Sequence, residues 1–372
     1  MQELIERIHR GGPVPYSALV QSSLYGPTGF YTRGGGAGRR RDFLTSPEVG
    51  TLFGAVIAQA LDSWWMELGR PDPFLVGECG AGTGALAQAV LAAEPTCTHA
   101  LRYLLVETSE AMRALHRARK LPLVEAAEVL AAVSAAGEDG DVTAVKGQGP
   151  LCASLPVLPA VPMHVIVANE LLDNLPFDVL EKTSDGWNEI RVGLSNGLLS
   201  KVSVAADGPL VYVGLRFAPG AEVGTMIPVA TMAANWVSDA YESLVVGGRL
   251  VCVDYAAPTA DLATRGGDWL RTYRDHKRAY GIESALRHAG DCDITIDVPI
   301  DQLPPAMSQS TQAAFLECHG LQDLLEGARK RWEAGAAEGT RAALHGRSWL
   351  NEADALVDLG GLGGFVVLEW KR

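Results

Sequence analysis

The chain of 372 residues has no uninterrupted apolar run of about 18 residues, and Met1 to His9 carries no apolar core of the kind that opens a secretory leader. Neither secretion nor a membrane span is expected, and the expected location is cytoplasmic. A basic surplus is also missing: the formal charge is −13. Proteins that wrap a nucleic-acid backbone usually carry such a surplus to displace phosphate counterions, so nucleic acid is disfavoured as a partner. The six cysteines, at 79, 97, 152, 252, 292 and 318, include no C-x-x-C pair. Reduced, mostly buried thiols are expected, with neither a zinc site nor a disulfide framework. Internal repeats and low-complexity tails are lacking too. What remains is a chain that is 48% hydrophobic and long enough to bury a large core.

The most informative stretch runs from Phe74 to Gly84, where an apolar run meets Gly80-Ala81-Gly82-Thr83-Gly84 and an alanine-rich pattern continues from Ala85 to Ala93. It reads as strand, turn and helix. Glycines let the backbone turn sharply beside a ligand, and the first free N–H groups of the helix face whatever sits above the strand end. The turn also fits the looser G-x-G-x-x-G/A dinucleotide pattern, so spacing alone leaves the cofactor open. Glu78, two residues before the first glycine, tilts the choice. An acid there would repel a pyrophosphate but suits the ammonium end of S-adenosylmethionine. Glu107 ends the next apolar run, Leu101 to Val106, 23 residues after Gly84, where a ribose diol expects a carboxylate acceptor.

Residues 1–73 form a helical N-terminal extension, with amphipathic patterns at Leu4, Ile5 and Ile8 and again from Tyr16 to Leu24. Thr32 to Arg41, with four glycines and Arg39-Arg40-Arg41, reads as a basic loop, solvated or acting as a lid over an acidic ligand. Thr45-Ser46-Pro47-Glu48 reads as cap and first turn of a helix from Leu52 to Trp65, with hydroxyls that could equally touch a ligand. Beyond the glycine turn, strand 101–106, helix 109–119 and strand 164–168 alternate as in βαβ crossovers. The expected fold is α/β, a Rossmann-like, mostly parallel sheet with helices on both faces, built from residues 74–177 and 233–372. Between them, residues 178–232 read as a β-rich insertion with short strands at 187–192, 198–204 and 210–217. A helix over 233–245, broken by Gly247-Gly248, leads to a strand at 249–254, and Phe365 to Trp370 forms a last strand at or next to a sheet edge.

A second polar group, Asn169-Glu170-Leu171-Leu172-Asp173-Asn174, leaves the end of strand 164–168, on the side where open α/β sheets bind ligands. Asn169, Glu170 and Asp173 are therefore the candidate reaction centre. Methyl transfer is an in-line displacement needing an aimed lone pair and a proton acceptor, and two carboxylates suit a planar guanidinium. The alternative is that Asn169 and Asp173 cap a helix.

Six segments, Tyr25-Gly-Pro-Thr-Gly-Phe-Tyr31, Asp42 to Val49, Gly80 to Gly84, Leu105 to Ser109, Asn169 to Pro176 and Gly247 to Tyr255, stand in the order seen in the MidA-like family of S-adenosylmethionine-dependent methyltransferases, which the chain resembles along nearly its whole length. Leu270 to His276, Asp293 to Thr295 and Thr311 to Leu316 continue the similarity. The resemblance implies a class I methyltransferase fold, an S-adenosyl-L-methionine cofactor and an arginine-bearing protein substrate. Gly80, Gly82, Gly84, Glu107 and Thr45, Ser46 and Glu48 match its cofactor segments, and Asn169, Glu170 and Asp173 match the segment flanking the methyl group. Ala81 replaces the usual proline, Ala256 the usual glycine, and Thr225-Met-Ile-Pro228 stands where many members have Glu-Val-Ser-Pro, with loss of an acid. Two other function classes stay open. One is methylation of another amine, since Asn174-Leu-Pro-Phe177 resembles the Asn-Leu-Pro-Tyr of RNA adenine dimethylases, though five residues intervene after Ala168. The other is a non-catalytic assembly module that retains the fold. An oxidoreductase reading is weaker, because no His, Tyr or Lys constellation stands out and His276 reads as a solvated helix histidine.

Overall fold

The computed structural model describes residues 1–35, 45–119, 121–134, 147–274 and 277–372. The Arg39 to Arg41 loop, Asp42 to Leu44 and His276 lie outside the described residues. The main sheet has seven strands: β1 (Phe74–Cys79), β2 (Leu101–Val106), β3 (Leu151–Leu155), β4 (Met163–Asn169), β5 (Leu244–Asp254), β6 (Ser308–Thr311) and β7 (Val366–Lys371). Their order is β6-β7-β5-β4-β1-β2-β3. Neighbours from β5 to β3 pair in parallel, and β7 runs antiparallel to both β5 and β6. The order therefore reverses between β1 and β4, and a crevice opens outside their carboxyl ends.

β1 and β2 are buried along their whole length, as parallel strands covered on both faces must be. Alternate residues feed two cores. Phe74, Val76, Tyr103, Val165, Val251 and Val367 pack against helix α1 (Leu52–Glu67) and the helices Leu321–Gly335 and Arg341–Val357, which pack on each other. Leu75, Leu104, Ile166 and Cys252 face the other way, toward α4 (Thr231–Glu242). Helix α2 (Ala85–Ala92) directly follows the glycine turn, and α3 (Glu110–Ala118) follows β2. Five of the six cysteines are buried and Cys318 is exposed.

A second body carries its own core. Helices Gln2–Gly11 and Tyr16–Tyr25 place Leu4, Ile8, Leu19 and Val20 against Phe177, Ile190, Val192, Trp269 and Ile294. Val14–Pro15 pairs with Gly186–Ser195, which also pairs with Asp178–Thr183 and Leu198–Ala205. A three-stranded antiparallel sheet of Lys277–Tyr280, Leu270–Arg274 and Asp293–Ile296 completes it. The N-terminal helices and the strands Asp178–Thr183 and Gly186–Ser195 share one interior.

Three local expectations change. Residues 210–217 do not form a strand but belong to a helix, Gly208–Phe217. Pro209 opens its first turn, a short apolar run does not distinguish strand from helix, and Gly214 lies so close to the Trp187 ring that a Cβ would approach it to 2.5 Å. Gly247-Gly248 does not break a helix: α4 has ended at Glu242, and the pair sits inside β5, where the pairing with β4 shifts register and Gly247 takes φ 81°. Thr45 and Ser46 do not cap α1. They open a separate one-turn helix, Ser46–Val49, and the N–H of Leu52 at the start of α1 donates to the Glu352 carboxylate at 2.8 Å instead.

Candidate active site

At the carboxyl ends of β1, β2 and β4 lies a cavity of about 690 Å³, within the range of small-molecule sites. Its floor is the glycine turn. Gly80, Gly82 and Gly84 take φ of 72°, 51° and 78°, a run of left-handed conformations that side-chain-bearing residues rarely adopt. A Cβ on Gly80 would come within 3.2 Å of Leu171 and one on Gly84 within 3.1 Å of His116, whereas one on Gly82 would have no atom nearer than 3.9 Å. Gly80 and Gly82 line the cavity, and Gly84 lies behind them. His116, on α3, is buried beneath the turn, joined to the Gly82 carbonyl at 2.9 Å and to Ser154 Oγ at 2.8 Å. No sequence reading singled it out, because its place on a helical pattern gives no sign of a contact 34 residues away.

The acids are placed in two ways. Glu107 lines the cavity, accepting from the Gly82 N–H (2.9 Å) on one oxygen and the Ser109 N–H (2.7 Å) on the other. The Thr108 side chain bonds to it as well, and with these three partners the carboxylate keeps an acceptor position for a diol. Glu78 also lines it, 5% exposed, and accepts from the Tyr103 hydroxyl (2.8 Å) and the Ala87 N–H. Burial raises its pKa to about 8, so the site wants a cation beside it. Glu48 reaches the cavity, and one of its carboxylate oxygens, Oε1, accepts from both Thr83 Oγ1 (2.6 Å) and Arg119 (3.2 Å). Arg119 also donates to the Thr83 carbonyl (2.6 Å). The one-turn helix is thereby clamped to the glycine turn.

Thr45 lines the cavity, while Ser46 sits behind it with its hydroxyl donating to Gln312 at 2.7 Å. The Ser46 backbone N–H reaches forward to the Glu170 carboxylate, which also accepts from Asn169 Nδ2 at 3.1 Å. Glu170 holds φ 51°, a strained conformation for a residue with a side chain, and burial beside Asp173 raises its pKa well above the carboxylate range. Asn169 and Glu170 both line the cavity, and Asn169 Oδ1 is buried without a hydrogen-bond partner among the described residues.

Asp173 is not part of the lining. Buried at 4% exposure, it accepts from Thr295 Oγ1 and feels the Arg271 guanidinium, which is itself paired with Asp297. Asp254, at the end of β5, accepts from the Leu172, Asp173 and Tyr255 N–H groups and fixes the turn after β4. Sequence reasoning missed the opposite wall. Gln21, Tyr25 and Tyr31 line the cavity from the N-terminal segment. The Tyr25 hydroxyl donates to the Asn174 carbonyl (3.2 Å), and the Tyr31 hydroxyl lies 3.0 Å from Asn174 Oδ1 and 2.9 Å from Asp293 Oδ1. Tyr25 and Tyr31 stood in a quoted segment, yet nothing in it said which site they would face. Thr225 to Pro228, the segment that departs from the expected pattern, does not contribute to the lining.

The donor set fits S-adenosyl-L-methionine: an open glycine floor, a diol acceptor at Glu107, a cation-seeking carboxylate at Glu78 and a free acceptor at Asn169. The comparisons agree. A family model described as "Putative S-adenosyl-L-methionine-dependent methyltransferase" matches residues 56–319. The Xenopus tropicalis protein arginine methyltransferase NDUFAF7, mitochondrial, is 24% identical over 372 residues, 96% of this chain and 83% of that protein. The Homo sapiens protein of the same name is 24% identical over 314 residues, 82% of this chain and 67% of that one. A Burkholderia thailandensis protein crystallised with S-adenosyl-homocysteine superposes with a TM-score of 0.77 at 25% identity, over 100% of this chain and 91% of that one. Among the described residues no helix is long and apolar enough to cross a membrane. With more than half its length matched and its fold shared, the chain belongs to this family of S-adenosyl-L-methionine-dependent methyltransferases and takes S-adenosyl-L-methionine as its cofactor.

Proposed function

We propose that the chain methylates a guanidinium nitrogen of an arginine in a partner protein. The observation that carries this reading is Glu170, a carboxylate held at the cavity by the Ser46 N–H and Asn169 Nδ2, in a strained backbone conformation and surrounded by other buried acids. Without a cation, burial beside Asp173 favours its protonated form. A guanidinium stays charged at any physiological pH and presents donors in a plane, so it would re-ionise Glu170 and pair with it. The orphaned Asn169 Oδ1 would accept a further N–H and help to turn the nitrogen lone pair toward the methyl group. S-adenosyl-L-methionine, when bound, supplies a methyl group on a sulfonium, open to in-line displacement. The proton that the acceptor nitrogen sheds would pass to the Glu170 carboxylate. Glu78 would hold the cofactor ammonium, Glu107 its ribose, and Gly80, Gly82 and Gly84 would leave room for it, with Glu48 and Ser46 acting through the loops they fasten and Asp173 through the turn beside Glu170.

The names of the relatives support an arginine acceptor, and the acidic charge of −13 suits a basic partner. A cytoplasmic location is proposed for this chain, whereas the relatives are named mitochondrial. The RNA adenine alternative is disfavoured by Asn174, whose side-chain amide already donates to Asp293 and Ile294 and whose backbone carbonyl accepts from Tyr25. Replacement of Glu170 by Gln is expected to lower methyl transfer to arginine in co-purified partner proteins, read by mass spectrometry, by about 100-fold or more. Calorimetric affinity for S-adenosyl-homocysteine should stay within about twofold. Undiminished methylation would remove Glu170 from the reaction.

A further inference from the structure

We propose that Tyr25 and Tyr31 form an aromatic wall that binds the methyl acceptor as a planar, delocalised cation, a specificity element supplied by the N-terminal segment. The inference rests on the arginine reading above. The two rings pack together, with centroids 5.7 Å apart and planes 21° from parallel, and both line the cavity that Glu170 and Asn169 line. Their hydroxyls are tied down at Asn174 and Asp293, which fixes the rings in place. Donation to the Asp293 carboxylate also enriches the Tyr31 ring in electron density, and an electron-rich face in a partly desolvated site attracts a cation.

The charges nearby point the same way. Burial first, and then the neighbouring Asp293 and Asp173, raise the pKa of both tyrosines, and Glu107 adds to that of Tyr25. Arg271, the guanidinium that Asp173 feels, is held by Asp297 and lies over the Tyr255 ring at 4.7 Å. It already shows a guanidinium between an aromatic face and carboxylates. Gln21, one helical turn before Tyr25, brings to the same cavity an amide with no hydrogen bond among the described residues, able to accept from a guanidinium edge. A neutral amide of the same shape would gain none of the electrostatic attraction.

The full chain, saturated with S-adenosyl-homocysteine, would be titrated with methylguanidinium and with neutral N-methylurea by saturation-transfer NMR. Methylguanidinium is expected to bind at least about tenfold more tightly than N-methylurea. Tyr25→Leu should weaken methylguanidinium by roughly tenfold, while Tyr25→Phe, which keeps the ring, stays within about twofold of wild type. Unchanged S-adenosyl-homocysteine affinity in both variants shows that they are folded. Equal binding of the two probes, no saturable binding to the wild-type chain, or a Tyr25→Leu variant that binds like wild type would each overturn the wall. Failure of the arginine reading looks different: no methylarginine in any partner, with ring-dependent methylguanidinium binding intact, removes that acceptor but leaves the wall standing.

Discussion

Glu78 is both the cofactor's proposed anchor and a cost to the fold. Its carboxyl is buried at the end of β1 with the Tyr103 hydroxyl and the Ala87 N–H as its partners, and its pKa stands near 8. An unfolded glutamate titrates at about 4.3. The folded chain therefore keeps a proton that the unfolded chain has lost, and the stability this group contributes is complete below its unfolded pKa and disappears as pH rises through 8. Glu78→Gln retains an acceptor for Tyr103 and removes the titration. The variant should equal the wild type near pH 4.5 and exceed it at pH 8.5 by on the order of a few kcal/mol, read from urea midpoints across that range. It should also bind S-adenosyl-homocysteine at least about tenfold more weakly at pH 7, because the ammonium loses its carboxylate. Glu170 and Asp254 titrate upward as well, so the difference between the two proteins carries the test. Parallel pH curves would show that Glu78 is not the buried proton site.

At the scale of elements, the glycine turn does not stand alone. The one-turn helix Ser46–Val49 closes on it through Glu48, Thr83 and Arg119, and the Ser46 N–H reaches from the same helix to Glu170. Arg119 makes its bonds as a fork, which a lysine cannot copy. Both Arg119→Ala and Arg119→Lys are expected to weaken S-adenosyl-homocysteine by roughly five- to tenfold, with less than about 1 kcal/mol lost in the urea midpoint, since the pair is partly solvated. Lower stability with unchanged affinity would make the clamp purely structural. The same elements show what a sequence discloses. Strand, turn and helix at 74–92 were legible because period, glycines and acids all lie within one local stretch. The clamp was not, because Glu48 and Arg119 lie 71 residues apart and one acid looks like another until the chain is folded. Asp173 was read as facing a ligand for the same reason: its position after β4 is visible, whereas the Thr295 and Arg271 that turn it inward come from a sheet whose pairing the pattern did not disclose. Helix 208–217 was missed because an apolar run of that length serves strand and helix equally.

At the scale of the molecule, two interiors meet at one cavity. The parallel sheet supplies the glycine turn, Glu78 and Glu107, and the second body supplies Tyr25 from the end of helix Tyr16–Tyr25 and Tyr31 from the turn that follows it. The bodies are joined where the tyrosine hydroxyls reach Asn174 and where Asn174 in turn donates to Asp293 and Ile294. This division predicts separable effects. Leu19 is fully buried in the second core, on the same helix as Tyr25, and Leu19→Ala should cost about 2–5 kcal/mol in cavity and transfer terms. Its effect on the cofactor should be small, with S-adenosyl-homocysteine affinity within about twofold of wild type in native buffer, because the cofactor floor draws on the other core. In increasing urea the variant should lose methyl transfer before it loses S-adenosyl-homocysteine binding, since local opening of the weakened body frees the tyrosines while the sheet remains folded. Parallel calorimetric and methylation titrations across urea concentrations would measure that separation. Simultaneous loss of both activities would mean that the two cores unfold as one unit, and that the tyrosine wall and the glycine floor have no independent stability.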